Sequence, residues 1–349
     1  MIAHIGVGNF HRSHQAMYLD ALRRAGGDSS WTIRGVGVLA ADAVVRDAMR
    51  ANGWRYTLSL RHPDGVVTSE VIESITGIVL ATEDRDAALA VLTDPAVRIV
   101  TMTITEGGYD PPSPAFGLLA DALAVRRAAG NAPFTIASCD NIEHNGAVAR
   151  RALMSVAETD LAAWIGANVA FPSSMVDRIT PATNDPLHVF AEPYVQWVLE
   201  DEFPTGRPEF ERVGVQMVSD VAPYEAMKLR LLNGAHQALA YDGMARGHVH
   251  VHDAVGDPVI VELLRSYWDE AIPTVPPVPG IVFEDYVATL LERFANPFVA
   301  DTLARLAEHS EDRMPKFVLP VLDDNRAAGR PTAACEQVVS SWKAFREAR

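Results

Sequence analysis

Along the first half of the chain, short apolar or β-branched runs alternate with stretches whose apolar residues recur every three or four positions. Runs at 32–39, 56–60, 98–105 and 134–139 predict strands, and 41–51, 85–92 and 118–129 predict the helices between them. Such alternation predicts an α/β domain with a mainly parallel sheet, helices on both faces, and ligands at the carboxyl ends of the strands. The pattern is helical over 145–167, and beyond Pro172 strand signals thin out. Segments 187–199, 224–241, 258–268, 283–294, 297–307 and 335–346 read as helices, interrupted by a proline-rich connector at 272–280. Two domains follow from this reading: 1–168 built on the sheet, and 169–349 mostly α-helical.

Composition narrows the classes of function. A chain of 349 residues is long enough for two sizeable cores. Its formal charge of −15 argues against nucleic acid or an anionic membrane as a partner, since both select for clustered Lys and Arg. Cys139 and Cys335 are too few for a disulfide framework, and Cys139 ends an apolar strand pattern where a buried thiol is expected. The first ten residues already form a strand and turn, and no apolar run reaches membrane-spanning length. A soluble, cytoplasmic protein is expected.

Candidate chemistry lies in two places. Ala3-His4-Ile5-Gly6-Val7-Gly8-Asn9-Phe10 reads as a strand entering a glycine turn, and 15–24 as an amphipathic helix closed by Gly26-Gly27. Strand, glycine turn and helix make the first half of a Rossmann-type dinucleotide-binding unit, although the third glycine of the usual fingerprint is missing. The second place is Met227-Lys228-Leu229-Arg230-Leu231-Leu232-Asn233-Gly234-Ala235-His236. At about 100° per residue, Lys228, Asn233 and His236 fall at roughly 0°, 140° and 80°, an arc shared with Leu229 and Leu232. A lysine enclosed by leucines loses hydration of its charged form and becomes a proton acceptor. The same spacing also fits a surface salt bridge between Lys228 and Glu225.

Six stretches together resemble the polyol-specific long-chain dehydrogenases, the mannitol 2-dehydrogenase-like family. They are Gly6 to Gln15, Thr103 to Tyr109, Ser138-Cys139-Asp140-Asn141-Ile142, Ser174 to Pro181, the lysine helix, and Arg313-Met314-Pro315-Lys316-Phe317, all in family order. The resemblance implies NAD-dependent oxidation of a polyol, mannitol or a related hexitol or pentitol, to its ketose, and the reverse reduction. It implies Lys228 as base, Asn141 and Asn233 as amide donors to the reacting oxygen, and His236, Asp177 and Arg313 as substrate-binding residues. For the cofactor it implies Gly6 and Gly8 beside the pyrophosphate, with Asn9 and Phe10 starting the next helix. Thr103, Thr105 and Glu106 would line the nicotinamide side.

Asp42, the first acid after the second strand, favours NAD over NADP, although it also suits a helix cap. No metal is expected, since a lysine and two amides replace a Lewis acid. His248, His250 and His252 would share one face of a strand, with Asp253 beside them, but a solvated loop or edge strand is the preferred reading. Gly107 stands where hexuronate reductases of the family tend to carry lysine, which favours a neutral polyol. A hexuronate (fructuronate or tagaturonate) reductase and a non-catalytic dinucleotide-binding protein remain the alternatives. Family members usually extend further at both ends, and the family leans toward a monomer.

Overall fold

The computed structural model describes residues 1–348 and divides into two compact units, 1–60 with 67–221 and 61–66 with 222–349.

The strands of the described residues lie in the first unit, save Arg61 at the end of β3: β1 (Ile2–Ile5), β2 (Ile33–Gly37), β3 (Tyr56–Arg61), β4 (Val67–Ile72), β5 (Ile75–Leu80), β6 (Ile99–Met102), β7 (Thr135–Ser138), β8 (Ser174–Asp177), β9 (His188–Ala191), β10 (Gln196–Glu200) and β11 (Gln216–Val218). Its helices are α1 (Asn9–Ser13), α2 (Gln15–Arg24), α3 (Asp42–Ala51), α4 (Arg85–Thr93), α5 (Pro114–Ala128), α6 (Asn145–Val156) and α7 (Thr159–Asn168). The main sheet has order β5-β2-β1-β6-β7 and is parallel throughout. Ile2 and Ile33 lie in one core cluster with Leu19, Leu22 and Trp197, while Ala3, Ile5 and Val100 lie in another with Leu118, Leu119 and Leu123. Both faces are therefore buried, as a parallel sheet requires. The chain reverses its direction of travel between β1 and β6, which makes the carboxyl ends of these two strands the switch point where ligands bind in open α/β sheets.

The second unit is helical. It comprises α8 (Ala222–Met227), a π-helical turn (Lys228–Asn233), α9 (Gly234–Ala245), α10 (Val251–Ala254), α11 (Pro258–Ala271), α12 (Phe283–Phe294), α13 (Leu303–Leu306), α14 (Ser310–Phe317), α15 (Leu319–Ala327) and α16 (Ala333–Glu347). No helix among the described residues is long and apolar enough to cross a membrane.

Several expectations need correction. The 187–199 segment is two strands, not a helix: Pro193 separates β9 from β10, and Trp197 and Val198 pair with Val176 and Met175 of β8. Those strands lie in the first unit, which ends at Val221 and not near 168. The segment 297–307 forms only the short α13. The helix expected over 15–24 is α2 with those bounds, set off from α1 by His14, whose φ of −122° and ψ of −91° are not helical. The histidine segment 248–252 is no strand: His250 precedes α10 and His252 lies within it. Cys139 and Cys335 are both buried free thiols, as the apolar surroundings of Cys139 predicted; burial pushes both upward in pKa.

Candidate functional site

The glycine turn follows directly from β1. Gly6 has φ of +90°, and a Cβ there would lie 2.2 Å from the Thr103 carbonyl oxygen, so the end of β6 itself excludes a side chain. Gly8 is different. It is exposed, and a Cβ built on it meets nothing within 4 Å. Of the two glycines, only Gly8 leaves room for an outside group. Asn9 and Phe10 begin α1, where the Asn9 side-chain oxygen accepts from Arg12 at 2.6 Å and the Phe10 ring stacks on His14 at 5.0 Å.

Beneath the turn, His4 is fully buried. Its Nδ1 lies 2.7 Å from the Thr101 hydroxyl and its Nε2 2.9 Å from that of Thr103, which in turn donates to the Gly6 carbonyl at 2.7 Å. The His11 ring stacks on it at 3.3 Å. Burial holds His4 down to about 3 and His11 well below the usual imidazole range, so both are neutral at pH 7.

Beyond β6 the chain enters an exposed loop carrying Thr105 and Glu106. Thr105 has φ of 62° and ψ of 168°, a region that side-chain-bearing residues avoid. Asp140 holds it there. One carboxylate oxygen accepts from the Thr105 N–H at 2.8 Å, and the other from the Ile104 N–H at 3.1 Å and the Tyr109 hydroxyl at 2.7 Å. Burial pushes the Asp140 carboxyl up against the lowering effect of these donors. Burial and the neighbouring Asp140 charge also raise the Tyr109 phenol, which stays a donor.

Asn141 follows Asp140 and is exposed at the end of β7. Buried Asn145 ties that end to β8: its amide donates to the Asp140 and Ser174 carbonyls at 3.1 and 2.7 Å, and its oxygen accepts from the Ser174 N–H at 2.9 Å. Asp177, buried, ends β8. Asp42 starts α3, and its Oδ2 accepts from the N–H groups of Val38 and Leu39 at 2.9 and 3.0 Å. It therefore closes the turn after β2 with one oxygen and does not cap α3, whose N-cap position is Ala41 and carries no side-chain cap bond.

In the second unit the surface reading of Lys228 fails, because Lys228 is 7% exposed and Glu225 6%. The regular 100° winding fails as well. Gly234 donates its N–H to Leu229, five residues back, so the helix is π-wound and Asn233 lies nearly above Lys228 instead of well round the helix from it. The widened turn leaves the Arg230 carbonyl without its usual partner, and it accepts from the Tyr267 hydroxyl at 2.9 Å. The Leu231 carbonyl accepts from the Trp268 indole at 2.9 Å. A Cβ on Gly234 would lie 1.9 Å from the Tyr267 oxygen, so glycine is required where α11 comes this close.

His236 packs on Phe294 with ring centroids 4.9 Å apart. Arg313, half-buried on α14, donates to the Arg305 and Leu306 carbonyls at 3.2 and 2.9 Å, capping α13. His250, His252 and Asp253 present ligand atoms within 4.8 Å of one another, the group among the described residues able to hold a metal ion, whereas His248 faces Asp257 at 3.4 Å.

The structure thus gathers Gly6, Gly8, Asn9, Thr103, Thr105 and Glu106 around the ends of β1 and β6, and Lys228, Asn233 and His236 on one helix. Asp140, Tyr109, Asn145, Tyr267 and Trp268 were missed. An acid at a strand end directly before Asn141 was a visible signal for Asp140, but nothing local marks Tyr267 or Trp268.

Two family models match the chain: the mannitol dehydrogenase Rossmann domain over residues 1–212 and the mannitol dehydrogenase C-terminal domain over residues 220–349. A mannitol 2-dehydrogenase from Cereibacter sphaeroides is 42% identical, covering 94% of this chain and 77% of the relative. The solved Pseudomonas fluorescens mannitol 2-dehydrogenase, a ternary complex with NAD and D-mannitol, superposes with a TM-score of 0.88 at 42% identity, over 98% of this chain and 78% of that one. A substrate-free D-sorbitol dehydrogenase superposes at 0.91 with 34% identity, over 98% and 79%.

Proposed function

Because this chain belongs to the mannitol dehydrogenase family, we propose that it oxidises a polyol, mannitol or a related hexitol or pentitol, to the ketose with NAD, and catalyses the reverse reduction. The observation that carries the reading is the burial of Lys228, at 7% exposure, on a turn that sets Asn233 nearly above it. A buried amine is a poor place for a spectator charge and a good place for a base.

The first unit offers features that suit a dinucleotide: open space at Gly8, a switch point at the ends of β1 and β6, and Asp42 at the end of β2. When bound, NAD supplies the hydride acceptor. Lys228 takes the hydroxyl proton. Asn141 and Asn233 donate amide hydrogens to the substrate oxygen, bonds that strengthen as negative charge develops there. His236, Asp177 and Arg313 orient the remaining hydroxyls. The scheme uses no metal, because the amine and the two amides supply the charge stabilisation a Lewis acid would. Gly107 is exposed with nothing within 4 Å of a built Cβ, so it brings no cation toward a carboxylate, in keeping with a neutral polyol.

The test is reduced-nicotinamide absorbance with NAD or NADP and a panel of polyols across pH, before and after chelator treatment. Turnover that rises through one ionisation, survives chelation and vanishes in Lys228→Ala supports the proposal. Faster reduction of fructuronate than of fructose would replace it with a hexuronate reductase, and thermal stabilisation by NAD without turnover would make the protein a non-catalytic binder.

A further inference from the structure

We propose that Tyr267 and Trp268 are positioning residues for the reaction: from α11 they hold the π-helical turn that aligns Lys228 with Asn233. The inference rests on the reading of Lys228 and Asn233 just given. In an ordinary α-helix, Gly234 would donate to Arg230, but here it donates to Leu229. A π turn carries one residue more than the α-helix allows and survives where outside groups satisfy the carbonyls it displaces. Two such groups are present. The Tyr267 hydroxyl reaches the Arg230 carbonyl and the Trp268 indole reaches that of Leu231, each at 2.9 Å.

Both side chains are buried, at 0% and 2% exposure, so no water replaces either donor freely. Burial keeps the Tyr267 phenol well above its ordinary range, so it donates at every working pH. Gly234 is the third part of the device, since any Cβ there would displace the Tyr267 oxygen. Without the two donors the turn relaxes toward α winding, which swings Asn233 away from Lys228 by about a quarter of a turn. A base and an oxyanion donor then no longer face the same hydroxyl.

The experiment compares wild type, Tyr267→Phe, Trp268→Phe and the double variant by kcat, KM for NAD, the pH profile of kcat and the deuterium isotope effect on polyol oxidation. Tyr267→Phe is expected to lower kcat by on the order of a hundredfold, with KM for NAD unchanged. The isotope effect is expected to rise and the pH midpoint to move, because hydride transfer becomes slower and the amine changes surroundings. A merely structural role lowers the melting temperature but leaves isotope effect and pH profile as in wild type; that result overturns the inference. So does a Tyr267→Phe enzyme with wild-type kcat. If wild type itself turns over no polyol, or Lys228→Ala keeps full activity, the proposed function fails first, and the alignment inference falls with it.

Discussion

The carboxylate of Asp140 grips the backbone N–H of Thr105 at 2.8 Å and so keeps a threonine in a conformation normally left to glycine. The strained residue lies just past the end of β6, at the switch point of the parallel sheet. Asp140→Asn keeps the size of the side chain but replaces one acceptor by a donor among three donors. The mismatch costs about 1–3 kcal/mol. We expect it to appear mainly as a raised KM for NAD, with a smaller fall in thermal stability. Unchanged cofactor affinity would separate this loop from the cofactor.

The two glycines of the first turn have different reasons to exist. Gly6→Ala drives a Cβ into the Thr103 carbonyl at a φ of +90°, so it is expected to destabilise the fold by about 3 kcal/mol or more. Gly8→Ala meets nothing and has φ of −87°, so its melting temperature should match wild type while NAD binding weakens by tenfold or more. Equal thermal losses in the two variants would contradict this division.

Asp42 combines a turn-closing acceptor with a charge. Asp42→Asn keeps an oxygen for the N–H groups of Val38 and Leu39 but removes the charge proposed to repel a 2′-phosphate. The ratio of kcat/KM for NAD to that for NADP is expected to fall by about tenfold, with little change in melting temperature. A ratio that does not move would leave Asp42 as a turn-closing residue alone.

Acid should destabilise the first unit through His4. Its folded pKa is held at about 3 by burial, below the ordinary 6.5. Between those values the unfolded chain binds a proton that the folded chain refuses, so stability is full above pH 6.5 and falls as pH drops. The loss is about 1.4 kcal/mol per pH unit for this histidine, and His11 adds in the same direction. Urea midpoints measured from pH 7 to 5 should decline, and less steeply in His4→Gln. Identical slopes in the two proteins would remove His4 from the account.

The sequence by itself determined the α/β, parallel-sheet class of the first unit, the helical character of the second, and the family. Apolar runs such as 98–105 announce strands buried on both faces, and six chemical blocks in family order survive any error in element boundaries. Periodicity failed at 187–199, where Pro193 and partners in β8 decide for strands, and in the placement of the unit boundary. The tertiary structure alone decided the winding at Lys228. The outside partners of the displaced carbonyls come from side chains 37 positions away along the chain, and no local pattern reports them. It also separated Gly6 from Gly8, since a glycine's purpose depends on which atoms approach it. Side-chain pattern records which faces avoid water, whereas the choice of hydrogen-bond partner is settled only when distant elements pack together.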